Sequence, residues 1–190
     1  MSLEDIEEAY YLALNAIDNK NHEAAIRLLK QIETGPYEDN ARFLLGAEYA
    51  EIGMYQRAAE CFESVLEKKP ELTIARFQKG LVHLKLGDDK SAKNEFELID
   101  SKENSDYLIE YSLGLQALID QDIEKFLSFV DNGNRLNKEN EALKKNMTSL
   151  YEKVKGQGAG DNFATENTQE KDEDSDLEAS KKFLLSKYVN

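Results

Sequence analysis

Gly46, Gly80 and Gly114 stand 34 residues apart, and so do Ala24, Ala58 and Ala92. The same step joins Phe62 to Phe96, with Leu28 and Val130 at the outer equivalents, and it also joins Pro36 to Pro70 and Gly53 to Gly87. A fixed period of this length restricts a chain to architectures in which one supersecondary unit is stacked on copies of itself. Within a unit the apolar spacing predicts two short helices. Leu44, Leu45, Ala47, Tyr49 and Ile52 mark the first, and "MYQRAAECFESVLEKK" forms the second, stopped by Pro70. Gly53 and Gly87 suit the left-handed position that follows a helix end, and proline cannot continue a helix. A glycine inside a helix costs roughly 1 kcal/mol relative to alanine. Three copies in phase therefore imply a packing reason: two backbones approach there, with Ala58 expected opposite Gly46.

Composition agrees with an all-helical reading. Leu, Ala, Glu and Lys are abundant, whereas only two prolines and no tryptophan occur in 190 residues. The net charge of -14 opposes nucleic acid, which needs clustered Lys and Arg, and opposes an anionic membrane surface. The single cysteine, Cys61, cannot form an internal disulfide and is expected to be buried and inert. The opening "MSLEDIEEAYYLA" is acidic where a signal peptide would be basic, and no run approaches the roughly 18 apolar residues of a membrane span. These features predict a soluble, cytoplasmic chain with no membrane insertion.

The repeat resembles the tetratricopeptide repeat (TPR), whose pattern is a leucine–glycine pair, a tyrosine, an alanine, a phenylalanine and a closing proline. Residues 39–72 carry it best, with Leu45–Gly46, Tyr49, Ala58, Phe62 and Pro70. Residues 73–106 keep Gly80, Ala92 and Phe96. Residues 5–38 keep Ala24, Leu28 and Pro36 and place Leu12 where the glycine would be. Residues 107–140 keep Leu113–Gly114 but put Phe126 at the small alanine position, which predicts a looser or differently angled last pair. The resemblance implies an all-α, right-handed superhelix of about four helix pairs over residues 1–155. The expected packing residues are Gly46, Ala58, Phe62, Gly80, Ala92, Phe96 and Gly114.

Past the fourth unit, Leu136, Leu143, Met147, Leu150 and Val154 describe one helical face. A solenoid needs its last hydrophobic face covered, so residues 134–155 are expected to form a capping helix. Residues 156–180 carry eight acids against one lysine and few apolar side chains, the composition of a disordered linker. The terminal "KKFLLSKYVN", residues 181–190, restores hydrophobicity and reads as a docking peptide for another protein or for this chain's own groove.

In TPR proteins the first helix of each pair lines a concave groove. The resemblance places that surface on Phe43, Ala47, Ala50, Phe77, Leu81, Leu84, Lys85, Tyr111, Leu115 and Leu118, with Ala9, Ala13 and Ile17 in the first unit. A groove so poor in charge suits an apolar or amphipathic segment of another protein. The Lys, Asn and Arg clamp of chaperone-tail binders is replaced by Ala9, Ala13, Leu44, Ile74 and Gln78. The two histidines, His22 and His83, lie in different units without metal-ligand spacing, and no phosphate loop or catalytic cluster is visible. The reading is a non-enzymatic protein-interaction module without metal or cofactor, chaperone-like or assembly-factor-like. A structural subunit tethered by its acidic tail, or an enzyme regulator whose tail mimics nucleic acid, are the alternatives.

Overall fold

The computed structural model describes residues 2–99 and 106–158. All regular elements among them are helices: α1 (Leu3–Asp18), α2 (His22–Leu29), α3 (Glu38–Glu51), α4 (Tyr55–Lys68), α5 (Thr73–Leu86), α6 (Asp89–Glu97), α7 (Asp106–Ile119), α8 (Ile123–Leu136) and α9 (Glu141–Gly158). The chain forms two compact units, Met1–Asp88 and Asp89–Asn190, so the array expected over 1–155 is divided between the helices of its third repeat. The cap begins at Glu141, after a break at Asn137, and runs past the expected start of the acidic linker. The rest of that linker and the peptide 181–190 lie outside the described residues.

In the first unit α1 pairs with α2 and α3 with α4, while α3 also packs on α2 and α5 on α4. Ala13, Ala25, Ala41, Ala58, Phe62, Val65 and Ala75 form its inner core. A Cβ on Gly46 would lie 2.9 Å from Cε1 of Phe62 and 3.1 Å from Cβ of Cys61. The close approach expected at Gly46 is therefore present, and the nearest atoms to it belong to Phe62 and Cys61. Gly114 of the second unit repeats it, with Val130 and Phe129 in the same roles at 3.1 and 3.4 Å.

The first repeat corrects the assumed register. Leu12 is half exposed and Ala24 only half buried, whereas the neighbouring Ala13 and Ala25 are fully buried, as is Leu29 rather than Leu28. Ala13 is thus the counterpart of Gly46, Ala25 that of Ala58, and Leu29 that of Phe62. Each step is 33 residues, so the first pair already has a small residue where its helices meet.

The turns between paired helices obey the same shift. Gly53 and Gly87 adopt the expected left-handed conformation, at φ 78° and 75°. Lys20 and Gln121 do so as well, at φ 55° and 62°, and are the only non-glycine residues with positive φ among the described residues. At all four turns the next amide donates to a carbonyl five residues back: Asn21 to Ala16, Met54 to Tyr49, Asp88 to His83 and Asp122 to Ala117, over 2.8–2.9 Å. Two of these closing residues also start the following helix. Asn21 Oδ1 accepts from the Ala24 amide and Asp122 Oδ1 from the Lys125 amide, both at 3.1 Å. The Lys125 ammonium and amide hold the Asp122 carboxyl below the usual carboxylate range. A side chain with a Cβ is strained in the left-handed region, so Gln121→Gly is expected to stabilise the protein by about 0.5–1 kcal/mol. Urea titration measures this directly, and an unchanged or lowered midpoint would contradict it.

In the second unit α6 packs on α7, α7 on α8 and α8 on α9. The looser last pair expected from Phe126 is not found. Phe126 is fully buried and α7 lies close against α8. A separate close approach lies at Gly133, where a Cβ would fall 2.5 Å from the Tyr111 ring.

Candidate interaction surfaces

The residues expected to line a groove divide by burial. Phe43, Ala47 and Ala50 form a half-buried stripe on α3, spaced by four and three residues, with Phe43 tilted against Phe62 at a ring separation of 5.6 Å. Leu81 and Lys85 of α5 and Leu118 of α7 are likewise half buried. Phe77, Leu84, Tyr111 and Leu115 are buried. Tyr111 is the clearest departure from a ligand-facing role. Its ring fills the space over Gly133 and its hydroxyl donates to Asn134 Oδ1 at 2.8 Å. In the first repeat Ala9 and Ala13 are buried and Ile17 half buried. All seven packing residues, Gly46, Ala58, Phe62, Gly80, Ala92, Phe96 and Gly114, are buried.

A second surface in the first unit was not legible from the repeat. On α3, Arg42, Leu45 and Tyr49 recur every three to four residues on a different face from Phe43, Ala47 and Ala50. That side faces a cavity of about 400 Å³ bounded by Leu29, Ile32, Arg57 and Cys61. A neighbouring hollow of about 500 Å³ shares Lys30, Tyr49 and Arg57 and extends past Ile26, Ile52 and Met54. Together they make a trough between α2 and α4 over α3. Its floor is apolar: Leu29, Ile32, Leu45, Tyr49 and Cys61 are buried. Its rim carries Arg27, Lys30, Arg42 and Arg57, with Glu23, Glu33 and Glu60. Arg57 lies over the Tyr49 ring, 5.7 Å from its centre. Burial pushes the Cys61 thiol above its ordinary pKa, partly opposed by the Arg42 charge, so the thiolate is scarce.

Other polar groups serve the helix packing. His22 Nδ1 lies 2.8 Å from Oε2 of the buried Glu48, joining α2 to α3. Lys69 pairs with Asp39 at 2.9 Å and holds that carboxyl below its usual range, joining α4 to α3. In the second unit Lys93 pairs with Asp120 at 2.7 Å. Among the described residues no three His, Cys, Asp or Glu side chains gather as metal ligands, and no helix is long and apolar enough to cross a membrane.

The break between α8 and α9 is built on a residue that patterning overlooks. Asn137 is fully buried; its Oδ1 accepts from the amides of Asn140 at 2.9 Å and Glu139 at 3.2 Å. Its Nδ2 donates to the Asn140 carbonyl at 2.9 Å. Asn140 Oδ1 then accepts from the Leu143 amide at 3.0 Å and so starts α9. Leu143, Met147, Leu150 and Val154 are buried along α9, while Leu136, expected on the same face, ends α8 and is exposed.

No protein-family model matches the chain, and no curated protein matches it. Solved structures do. MamA 41-end from Desulfovibrio magneticus RS-1 superposes with a TM-score of 0.59 at 23% identity, over 82% of this chain and 96% of that one. A MamA RS-1 ArsTM double mutant superposes with a TM-score of 0.58 at 22% identity, over 96% of this chain and 95% of the other. At such identities the likeness speaks to fold alone. With the nine helices among the described residues and the 33- or 34-residue spacing, it defines an all-α fold of the TPR-like helical-repeat kind.

Proposed function

We propose that the protein is a non-enzymatic interaction module that holds an apolar or amphipathic segment of a partner protein against the first-helix faces of its repeats. The observation that carries this reading is the stripe of Phe43, Ala47 and Ala50, three apolar side chains left half buried on one face of α3. Their accessible area is apolar, and covering it with a partner's side chains returns about 25 cal/mol per Å² removed from water. Leu81 on α5 and Leu118 on α7 are accessible in the same sense. What these side chains offer a partner is shape and apolar area.

The test is a comparison of partners captured by the wild-type chain and by Phe43→Glu from a lysate of the source organism. Phe43 suits this better than Phe77, because Phe77 is fully buried and a glutamate there would unfold the protein. Loss of specific partners from a variant with unchanged circular dichroism supports the reading. Equal recovery of every partner by both proteins overturns it.

A further inference from the structure

The corrected register extends the stripe of α3 onto α1. Tyr10, Leu14 and Ile17 stand 33 residues before Phe43, Ala47 and Ala50, the step that joins Ala13 to Gly46, and all six are half buried. Tyr37, at the start of α3, stacks on Tyr10 with ring centres 4.6 Å apart. Tyr11 stands edge-on to both, 6.0 Å from Tyr10 and 6.4 Å from Tyr37, and is 57% exposed. Burial, then the Glu7 carboxylate and the Tyr11 hydroxyl, hold the Tyr37 hydroxyl above its ordinary pKa, which sets Glu7 against the same cluster. Glu7 also lies three and four residues before Tyr10 and Tyr11, one helical turn away. Three rings and a carboxylate at one end of an apolar stripe offer more than apolar burial requires.

Resting on the reading of the stripe as a partner-binding face, we propose that this cluster takes a Lys or Arg side chain of the partner segment, whose apolar side chains run on over Leu14, Ile17 and α3. Charge sets the sign. Helix α1 contains no Lys or Arg, and the one base of α3, Arg42, lines the trough on a different face. The acids bordering the stripe include Glu7, with Asp18 and Glu51 four residues beyond Leu14 and Ala47. Of the groove positions expected from the repeat, the basic one is Lys85, on α5. A cation therefore fits the α1 end. Tyrosine ring faces attract it through their quadrupole, and the carboxylate beside them adds to that attraction. The net charge of -14 favours the approach of a basic segment, whereas Glu7, Asp18 and Glu51 would repel an acidic one.

Selection from a random dodecapeptide library against the full-length chain tests the proposal. Peptides retained by wild type and lost by Phe43→Glu are expected to carry Lys or Arg at one fixed end of an apolar run. Glu7→Gln should weaken each such peptide about tenfold and Tyr11→Ala about fivefold. Both residues are exposed, so these changes spare the helix packing. Replacing the peptide's Lys or Arg by Gln should weaken binding to wild type by the same factor and leave binding to the Glu7→Gln variant almost unchanged. Glu8→Gln removes the same charge about 100° further round α1 and should leave the affinity as it was. Equal weakening by Glu7→Gln and Glu8→Gln overturns the proposal, since net charge alone would then attract the peptide. Phe43-dependent peptides without a basic residue overturn it too, and leave the partner-binding stripe standing. Basic peptides that depend on Glu7 and Tyr11 but not on Phe43 uphold the cation site and overturn the stripe. A library that yields no peptide dependent on any of these residues overturns both.

Discussion

Gly133→Val is expected to destabilise the second unit by about 3 kcal/mol, the upper end of what overpacking costs. A Cβ at this position would stand 2.5 Å from both Cδ1 and Cε1 of Tyr111, closer than carbon atoms can approach. Tyr111 cannot yield cheaply, because it is fully buried, lies edge-on to Tyr107 at 6.0 Å and donates to Asn134. Valine regains a few tenths of a kcal/mol over glycine in helix propensity, far less than the clash. Gly156→Val in α9 is the control, since nothing lies within 4 Å of a Cβ there. Thermal unfolding followed by helicity, with hydrogen exchange in α7 and α8, measures both variants. Equal stability of Gly133→Val and wild type would show that α7 and α8 are farther apart than described.

Asn137→Leu should cost a similar amount, about 3 kcal/mol, by a different mechanism. The side chain is buried and satisfies two backbone amides and one carbonyl of the α8–α9 turn. Leucine removes these three part-buried bonds, each contributing about 1 kcal/mol. Asn137→Asp separates the contributions: it keeps the acceptor for the amides of Glu139 and Asn140 but sets a carboxylate against the Asn140 carbonyl. Its loss should fall between wild type and leucine at neutral pH. Chemical denaturation of the three proteins tests this order, and a leucine variant as stable as wild type would contradict it.

The repeat was readable because glycine and alanine at contact points and phenylalanine in the core are fixed by volume. Where volume decides, spacing alone picked out Gly46, Ala58, Phe62, Ala92 and Phe96, all of them buried. The first repeat was misread by one residue because leucine and alanine alternate there: "YLALNAI" fits either register, and only burial separates Ala13 from Leu12. Glycine marked two of the four left-handed turns. Lys20 and Gln121 are invisible to that signal, since a turn held by flanking hydrogen bonds can force a residue with a side chain into the same conformation. Leu136 fitted the face of α9 by period, yet the polar pair Asn137 and Asn140 ends one helix and starts the next. The trough had no local signature. Its cations come from α2, α3, α4 and the turn after α2, and only the fold brings them together.

Helix pairs that close at fixed positions, the first of them one residue shorter, organise both units and set which faces are left for other molecules. Comparing Ala24→Leu with Ala25→Leu measures that organisation most directly. Ala25 is fully buried against its neighbours and Ala24 is half buried beside it. Ala25→Leu should therefore lose about 2 kcal/mol to overpacking, with Ala24→Leu within about 0.5 kcal/mol of wild type. The reverse order, with Ala24→Leu the more damaging, would restore a uniform 34-residue register and contradict the helix packing described for the first unit.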